Sequence, residues 1–506
     1  MLWPTNTLAA EFCSDQYYID VTLPNQARWD MCWEHRSREG IVLHKVHYTP
    51  QNGTRRMVFN EAAIAQIHVP YDDNGVRYHD VSDYGLGNRY MSSLSTDECV
   101  GGTLLTFGTK PVVCQQIESR DDAYSYGDNR LQGDALSLFS VSKIGAYNYI
   151  PTWRFLDDGG IDLMMGATGA LQRYGDSSKQ DHGWLISANK VGIAHLHNFF
   201  WKLDFDLAGS GRDDYVEEIN FIQSNGQKIR EMTRYNQETA SDVDPDTLRM
   251  WRIADGNISN SKGQPISYEI RLHQANHRDT GPDTEPFTKH DLYVTRYNRC
   301  ELFASHNPST GGCADNLADF VNGESLTGED IIVWPSTTFY HMPRAEDSPR
   351  MDAHWSSISI TPRDWHDRNP LSSSEDAVNT SPVSSIDDNA DAVSSIDDST
   401  DSVSNVDDST DSVRNVDDST DSVSNVGDST DSVRNVDDST DAIDTIDGNT
   451  DTVSNIDDST DTVNNINSAT PIRSIANIRR TGGGGSLPIG LLIASGLLLV
   501  LRKKCS

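Results

Sequence analysis

Tyr147-Asn-Tyr-Ile-Pro-Thr-Trp-Arg-Phe155, Leu156-Asp-Asp-Gly-Gly160 and Ile161-Asp-Leu-Met-Met165 form one continuous stretch in which two apolar runs flank a turn. Tyr147, Tyr149, Trp153 and Phe155 recur at even spacing, the period of a strand, whose side chains leave alternate faces. The Asp-Asp-Gly-Gly segment supplies the local acceptors and the backbone freedom that a chain reversal needs. The stretch therefore predicts a β-hairpin. Short alternating runs broken by Gly, Asp and Asn continue on either side as far as residue 370, so the fold expected is mainly β. A second strand is predicted from Ile193 to Leu207.

The 506 residues have room for two to four average domains, but composition changes sharply along them. All ten Trp lie before residue 371, enough apolar mass for one large core or two. From Leu371 to Thr470 there are 25 Asp/Glu against Arg414 and Arg434, a net charge of −23 out of −35. Residues 1–370 keep about −18, a body that repels nucleic acid. From about Ser381 to Thr470 a ten-residue unit of the type D-S-T-D-S-V-S-N-V-D repeats, each copy with two small aliphatic residues such as Val403 and Val406. Two such residues cannot bury a core, so 371–470 is expected to be disordered: a spacer, a calcium-weighted acidic brush, or an expanded repeat with no specific partner.

Residues 471–486 form a basic, Gly-rich linker ahead of the apolar run Leu487–Leu501, which ends on Arg502-Lys-Lys504. Fifteen residues give roughly 22 Å as helix, short of the roughly 30 Å hydrocarbon core. The basic end suits a membrane helix better than a glycolipid-attachment signal; membrane insertion and an uninserted tail both stay open, and a membrane or cell-surface location follows only from the first. The opening Met1-Leu-Trp-Pro has no basic n-region, so no signal peptide is read there. Seven cysteines are too few for a disulfide-built scaffold of this length and leave room for one or two bridges. Three sequons, at Asn52, Asn257 and Asn379, carry little weight.

Within Ile193–Leu207 the odd positions read His195, His197, Phe199, Trp201, Leu203, Phe205 and Leu207. On a strand, both imidazoles leave one face and can share a metal. With 15 His in the chain, about 0.4 His-x-His pairs is expected by chance, so the pair alone says little. The even face carries Asp204 and Asp206, hard oxygen donors suited to Ca²⁺ or Mn²⁺, with the Phe205 carbonyl between them.

Three further segments change the reading. Ser142-Lys-Ile-Gly-Ala-Tyr-Asn-Tyr149 resembles the topaquinone segment of the copper amine oxidases, with Tyr147 in the place of the tyrosine that becomes the cofactor. Asp330-Ile-Ile-Val-Trp334 through Phe339-Tyr-His-Met-Pro-Arg-Ala-Glu-Asp347 resembles the segment bearing that family's third copper histidine, here His341. Tyr78-His-Asp-Val-Ser-Asp-Tyr-Gly-Leu-Gly87 resembles the catalytic-base segment and points to Asp80. Trp29 to Leu43 is similar to the start of the catalytic β-sandwich, and the likeness covers roughly residues 27–370 in one order.

The resemblance implies a large antiparallel β-sandwich with Cu²⁺ on His195, His197 and His341, and topaquinone formed from Tyr147. It gives Asp80 the role of base and Tyr78 that of orienting the quinone, and places peripheral Ca²⁺ on Asp204, Phe205, Asp206, Asp330 and Ile331. It also implies a Cys99–Cys114 bridge, a homodimer, and a small primary amine and O₂ as substrates. Three neutral imidazoles suit Cu²⁺, a quinone condenses with a primary amine, and proton abstraction beside the nitrogen needs a carboxylate of raised pKa.

The sequence departs from the family pattern in four places. Ala146 stands where the family has Asn, and Asn148 where it has an acid. Residues 99–134 look shortened by about ten relative to usual loop length, which threatens the sheet there. The small α/β domains that precede the family's catalytic domain are not in this sequence, where 28 residues precede Trp29. Two readings follow: an active primary amine oxidase, or a catalytically weak or inactive relative kept as a surface or structural protein.

Overall fold

The computed structural model describes residues 13–126, 129–273 and 281–372, together with the backbone of short strands between 392 and 467. Met1–Ser374 forms one compact unit and Glu375–Ser506 a second. The first is built on two large antiparallel sheets. One, of nine strands, runs in spatial order Tyr18–Thr22, Arg28–Arg36, Gly40–Thr49, Arg56–Pro70, His195–Phe205, Ile331–His341, Leu292–Arg296 and Thr239–Ser241, with Arg77–His79 paired to Arg56–Pro70. The other, of eleven strands, has the hairpin near its middle, between Asn129–Phe139 and Met351–Arg363.

The hairpin is longer than its sequence signal. Tyr147–Leu156 pairs with Ile161–Gly169, setting Phe155 opposite Ile161, Trp153 opposite Leu163 and Tyr147 opposite Gly169. Leu156 N–H reaches the Gly160 carbonyl at 2.8 Å, and Gly159 takes φ +93°, which a side chain would strain. The inward faces of the two sheets meet in one core: Trp153 stands edge-on to Trp201 at 4.9 Å, and Trp29 lies 5.0 Å from Phe155. This is face-to-face packing of two sheets, as in a sandwich.

The predicted Ile193–Leu207 strand is broken at Ala194, whose N–H turns to the His182 carbonyl. Lys190–Ile193 joins a small three-stranded sheet, and His195–Phe205 alone enters the large one. That strand is buried on both faces: the odd side packs into the sandwich core, and on the even side Phe200 packs with Trp334 of the neighbouring strand and with Phe287, Leu317 and Phe320 of the covering segments. The stretch feared to cost sheet material keeps it, since Thr103–Phe107, Lys110–Tyr126 and Asn129–Phe139 are all paired.

Three disulfides are formed, Cys13–Cys32, Cys99–Cys114 and Cys300–Cys313, one more than the sequence reading allowed, because partners meet across strands and loops rather than by spacing. Within the repeats, the backbone strands Ser412–Asp417, Ser432–Asp437 and Thr452–Ile456 pair in parallel, like positions opposite like. A twenty-residue offset brings identical residues into register, so backbone pairing does not require a core. Asn379, Cys505, the 471–486 linker and the Leu487–Leu501 run lie outside the described residues, among which no helix is long and apolar enough to cross a membrane.

Candidate metal centre and active site

His195 and His197 leave the core face of their strand, and His341, at the end of Ile331–His341, stands directly opposite His195 in the ladder. A ligand nitrogen from each of the three lies within 4.8 Å of the others. Their neighbours select the nitrogens. His195 Nδ1 lies 3.0 Å from the Ile193 carbonyl, which fixes its proton there and leaves Nε2 as a bare lone pair. His341 Nε2 lies 3.0 Å from Asp347 Oδ2, leaving Nδ1 bare. Both ring nitrogens of His197 are buried with no hydrogen-bond partner, an arrangement that costs free energy unless a cation takes a lone pair. Burial holds His195 down to about 3 and pushes His197 well below the usual histidine range, so neither competes for a proton near neutrality. The donor set fits a copper or zinc ion, with both outer hydrogen-bond partners in place.

Tyr147, from the opposite sheet, closes this cluster. Its hydroxyl lies 2.6 Å from His195 Nε2 and 3.2 Å from His341 Nδ1, so the phenol oxygen touches the bare nitrogens themselves. Burial raises its pKa far above the ordinary phenol value. Tyr149, two residues on and on the same face, stacks over it at 6.0 Å with ring planes 16° apart.

Asp80 opens a one-turn π-helix, Asp80–Tyr84, closed by a 2.8 Å hydrogen bond from Gly85 N–H to the Asp80 carbonyl. The Gly-x-Gly that follows has a packing cause: a Cβ on Gly85 or Gly87 would run into the Ser37 or Arg36 carbonyl. Gln66 holds the turn from behind, its Oε1 accepting from Val81 N–H at 3.0 Å and its Nε2 donating to Ser82 Oγ at 2.8 Å. Burial raises the Asp80 pKa to about 7, against a 2.8 Å hydrogen bond from the Tyr149 hydroxyl that favours the anion. Asp80, Tyr147, Tyr149, Tyr71, Tyr78, Tyr84 and Tyr90 line one cavity of about 200 Å³.

Tyr78 is half-buried on the cavity wall, whereas Tyr71, which the sequence reading did not select, is buried and stacks on His195 at 4.4 Å. Tyr149 and Asp347 were passed over as well, although both end segments already singled out. Gln66 left no signal at all, because all its partners but the adjacent Ile67 N–H sit fifteen or more residues away.

At the far end of the same strand Asp204, Asp206 and Asp330 bring carboxylate oxygens within 4.8 Å of one another. Asp204 Oδ1 and Asp330 Oδ1 are buried without partners. A Cβ on Gly211 would strike the Asp206 carboxylate, lie 2.7 Å from Asp330 Oδ1 and 3.2 Å from the Phe205 carbonyl, so these oxygens converge on a space only glycine leaves open. Burial, with Asp330 beside them, raises Asp204 to about 8 and Asp206 to about 6. Ile331 is buried at the start of its strand, next to Asp330.

Three imidazoles from one sheet thus meet a buried tyrosine from the other in a candidate metal centre. Residues 120–381 match the family model described as copper amine oxidase, enzyme domain. The chain belongs to the copper amine oxidase family. It is 27% identical over 394 residues to a primary amine oxidase of Klebsiella aerogenes, covering 68% of this chain and 52% of that protein. It is 26% identical to a histamine oxidase of Arthrobacter globiformis, covering 68% and 56%. The chain thus spans little more than half the length of these relatives. Among solved structures, a copper-containing benzylamine oxidase from Hansenula polymorpha superposes with a TM-score of 0.58 at 18% identity, covering 70% of this chain and 62% of that one. An Aspergillus nidulans amine oxidase gives 0.59 at 19% identity, covering 73% and 56%. These likenesses show the fold.

Proposed function

We propose that the chain is a primary amine oxidase, converting a primary amine, water and O₂ to an aldehyde, ammonia and hydrogen peroxide. The observation that carries this is the placing of the Tyr147 hydroxyl on the bare nitrogens of His195 and His341, with Asp80 on the wall of the same cavity. His195, His197 and His341 would hold copper, which would supply oxygen chemistry, and the quinone form of Tyr147 would supply an electrophile for a primary amine. The remaining work falls to the chain. Asp80, with a pKa near neutrality, takes the proton from the carbon beside the nitrogen and returns it to solvent. Tyr149 holds that carboxylate in place and covers one face of Tyr147. The tyrosine-lined cavity has room for one small amine beside Tyr147 and Asp80.

A calcium ion on Asp204, Asp206, Asp330 and the Phe205 carbonyl, a structural cation remote from the cavity, belongs to the same reading, as does a homodimer. Ala146 supports the alternative of a weak enzyme, since it offers no amide beside the Tyr147 ring; Ala146→Asn then raises turnover. The deciding experiment loads the full chain with Cu²⁺ in air and applies a quinone-specific redox stain and a peroxide assay with several amines. Stain and peroxide in the wild type, both lost in Tyr147→Phe, are expected. Absence of both in the wild type, unrescued by Ala146→Asn, would leave the non-catalytic reading.

A further inference from the structure

His68, on Arg56–Pro70, stands directly opposite His79, on the short strand Arg77–His79, with ring centroids 4.9 Å apart. Glu285 enters from the loop just ahead of Pro286–Thr288, and one ligand atom from each of the three lies within 4.8 Å of the others. All three residues are buried. They occupy the face of the sheet opposite the copper histidines, where His68 is the ladder neighbour of Asn198.

The hydrogen bonding around the three leaves acceptors uncovered. His68 Nε2 lies 3.2 Å from Glu285 Oε1 but out of line for a hydrogen bond, and Nε2 and Glu285 Oε2 are both buried without partners. Asn198 Nδ2 lies 3.0 Å from His68 Nδ1 while Asn198 Oδ1 is buried with no partner. The two ends of an amide are interchangeable in shape. Turned over, Asn198 Oδ1 accepts from His68 Nδ1–H, and His68 Nε2 becomes a lone pair facing a carboxylate. Arg77 Nε occupies Glu285 Oε1 at 2.6 Å and leaves Oε2 bare. His79 Nδ1 is engaged by Ser305 Oγ at 2.7 Å, which leaves its Nε2. Two imidazoles with their far nitrogens anchored, and one carboxylate with one oxygen anchored, form a metal donor set with its outer hydrogen bonds already made.

We propose that His68, His79 and Glu285 bind a second transition-metal ion, of the zinc class, in a structural site behind the catalytic-base turn. Two histidines and a glutamate are a zinc donor set, with a fourth position left for water. Tetrahedral zinc holds neighbouring ligand atoms roughly 3.3 Å apart, and one ligand atom from each of the three already lies within 4.8 Å of the others, so small side-chain movements close the site. The ion ties the strand that ends at His79, one residue before Asp80, to the central sheet and to the Glu285 loop. Among the described residues, Arg77 is the arginine or lysine paired with Glu285, and it is the group the metal must tolerate.

The test uses the full chain, copper-loaded first, then exposed to Zn²⁺ and desalted, with both metals counted by mass spectrometry. About one Zn²⁺ per chain is expected to stay with the wild type, and to be lost in His68→Asn and in Glu285→Gln while copper is unchanged. Crystals of the zinc-loaded wild type should show a zinc-edge anomalous peak among the three side chains, which decides the matter even if a variant fails to fold. No retained zinc in the wild type, equal zinc in Glu285→Gln, or an anomalous peak elsewhere would overturn the site.

Discussion

The Tyr149 hydroxyl donates a 2.8 Å hydrogen bond to Asp80 Oδ2, joining the strand that carries Tyr147 to the turn that carries the proposed base. Burial drives the Asp80 pKa up to about 7 and this bond restrains the rise, because it is made to the charged form. Tyr149→Phe removes the restraint, so Asp80 titrates higher still. A hydrogen bond to a charged group contributes about 1.5–3 kcal/mol, and about 1.4 kcal/mol is one pH unit. The acid limb of kcat/KM is expected to move up by about one unit, with activity at pH 9 little changed; an unmoved limb would remove Asp80 from the role. Asp80→Asn should keep the quinone colour and cost roughly 10²–10⁴ in rate.

Asp347 acts on the metal through His341. Its carboxylate fixes the His341 proton on Nε2 and thereby frees Nδ1. Asp347→Asn can turn its amide either way and no longer fixes the tautomer, so Cu²⁺ affinity should fall roughly 10–100-fold. Competition against a calibrated chelator measures this directly. His195→Ala with His197→Ala should abolish copper binding altogether.

The carboxylate cluster sets a pH-dependent stability. Asp204 and Asp206 have folded pKa values of about 8 and about 6, both above the unfolded carboxylate value. Groups raised in this way contribute stability below about pH 4 that is lost as pH rises through 6 and 8. Calcium should therefore raise the melting temperature far more at pH 8.5 than at pH 5, where protons already occupy the site. Asp204→Asn with Asp206→Asn should abolish that calcium response, stabilise the metal-free protein at pH 8.5, and leave the quinone stain nearly intact. A variant that lost the stain in proportion would show that the cluster serves the chemistry.

Gln66 is a positioning residue. Its amide satisfies Ile67 and Val81 N–H, Ser82 Oγ and the Ser305 carbonyl and hydroxyl, all around the Asp80 turn. Gln66→Leu removes those bonds, at about 1–3 kcal/mol for each group left buried without another partner, Ser305 Oγ keeping its bond to His79 Nδ1. We expect kcat to fall with copper content and stain retained, and Gln66→Glu to recover part of the rate. Equal losses in copper and rate would indicate general unfolding instead.

Period-two spacing was enough to read the hairpin at 147–165 and the shared face of His195 and His197, because each strand's pattern is local. The break at Ala194 was not legible, since it depends on the His182 carbonyl, supplied by the end of a neighbouring 3₁₀ turn, Ser177–His182. Resemblance brought His341 and Asp80 to the site, but Tyr71 carried no such signal, since its stacking on His195 depends on how the rings pack. Cys13–Cys32 and Cys300–Cys313 were hidden for the same reason as Gln66: nothing in the spacing of residues says which of them fold into contact.

Tyr147 belongs to one sheet, and His195, His197 and His341 to the other. The phenol meets its imidazoles only after nearly two hundred intervening residues have been placed and the two layers have docked. Any self-modification of Tyr147 that needs those histidines is therefore barred to a half-assembled chain. Colour would then be a certificate of completed folding, issued by the molecule to itself, and its rate of appearance after dilution from denaturant would clock the docking of the layers rather than the formation of either one.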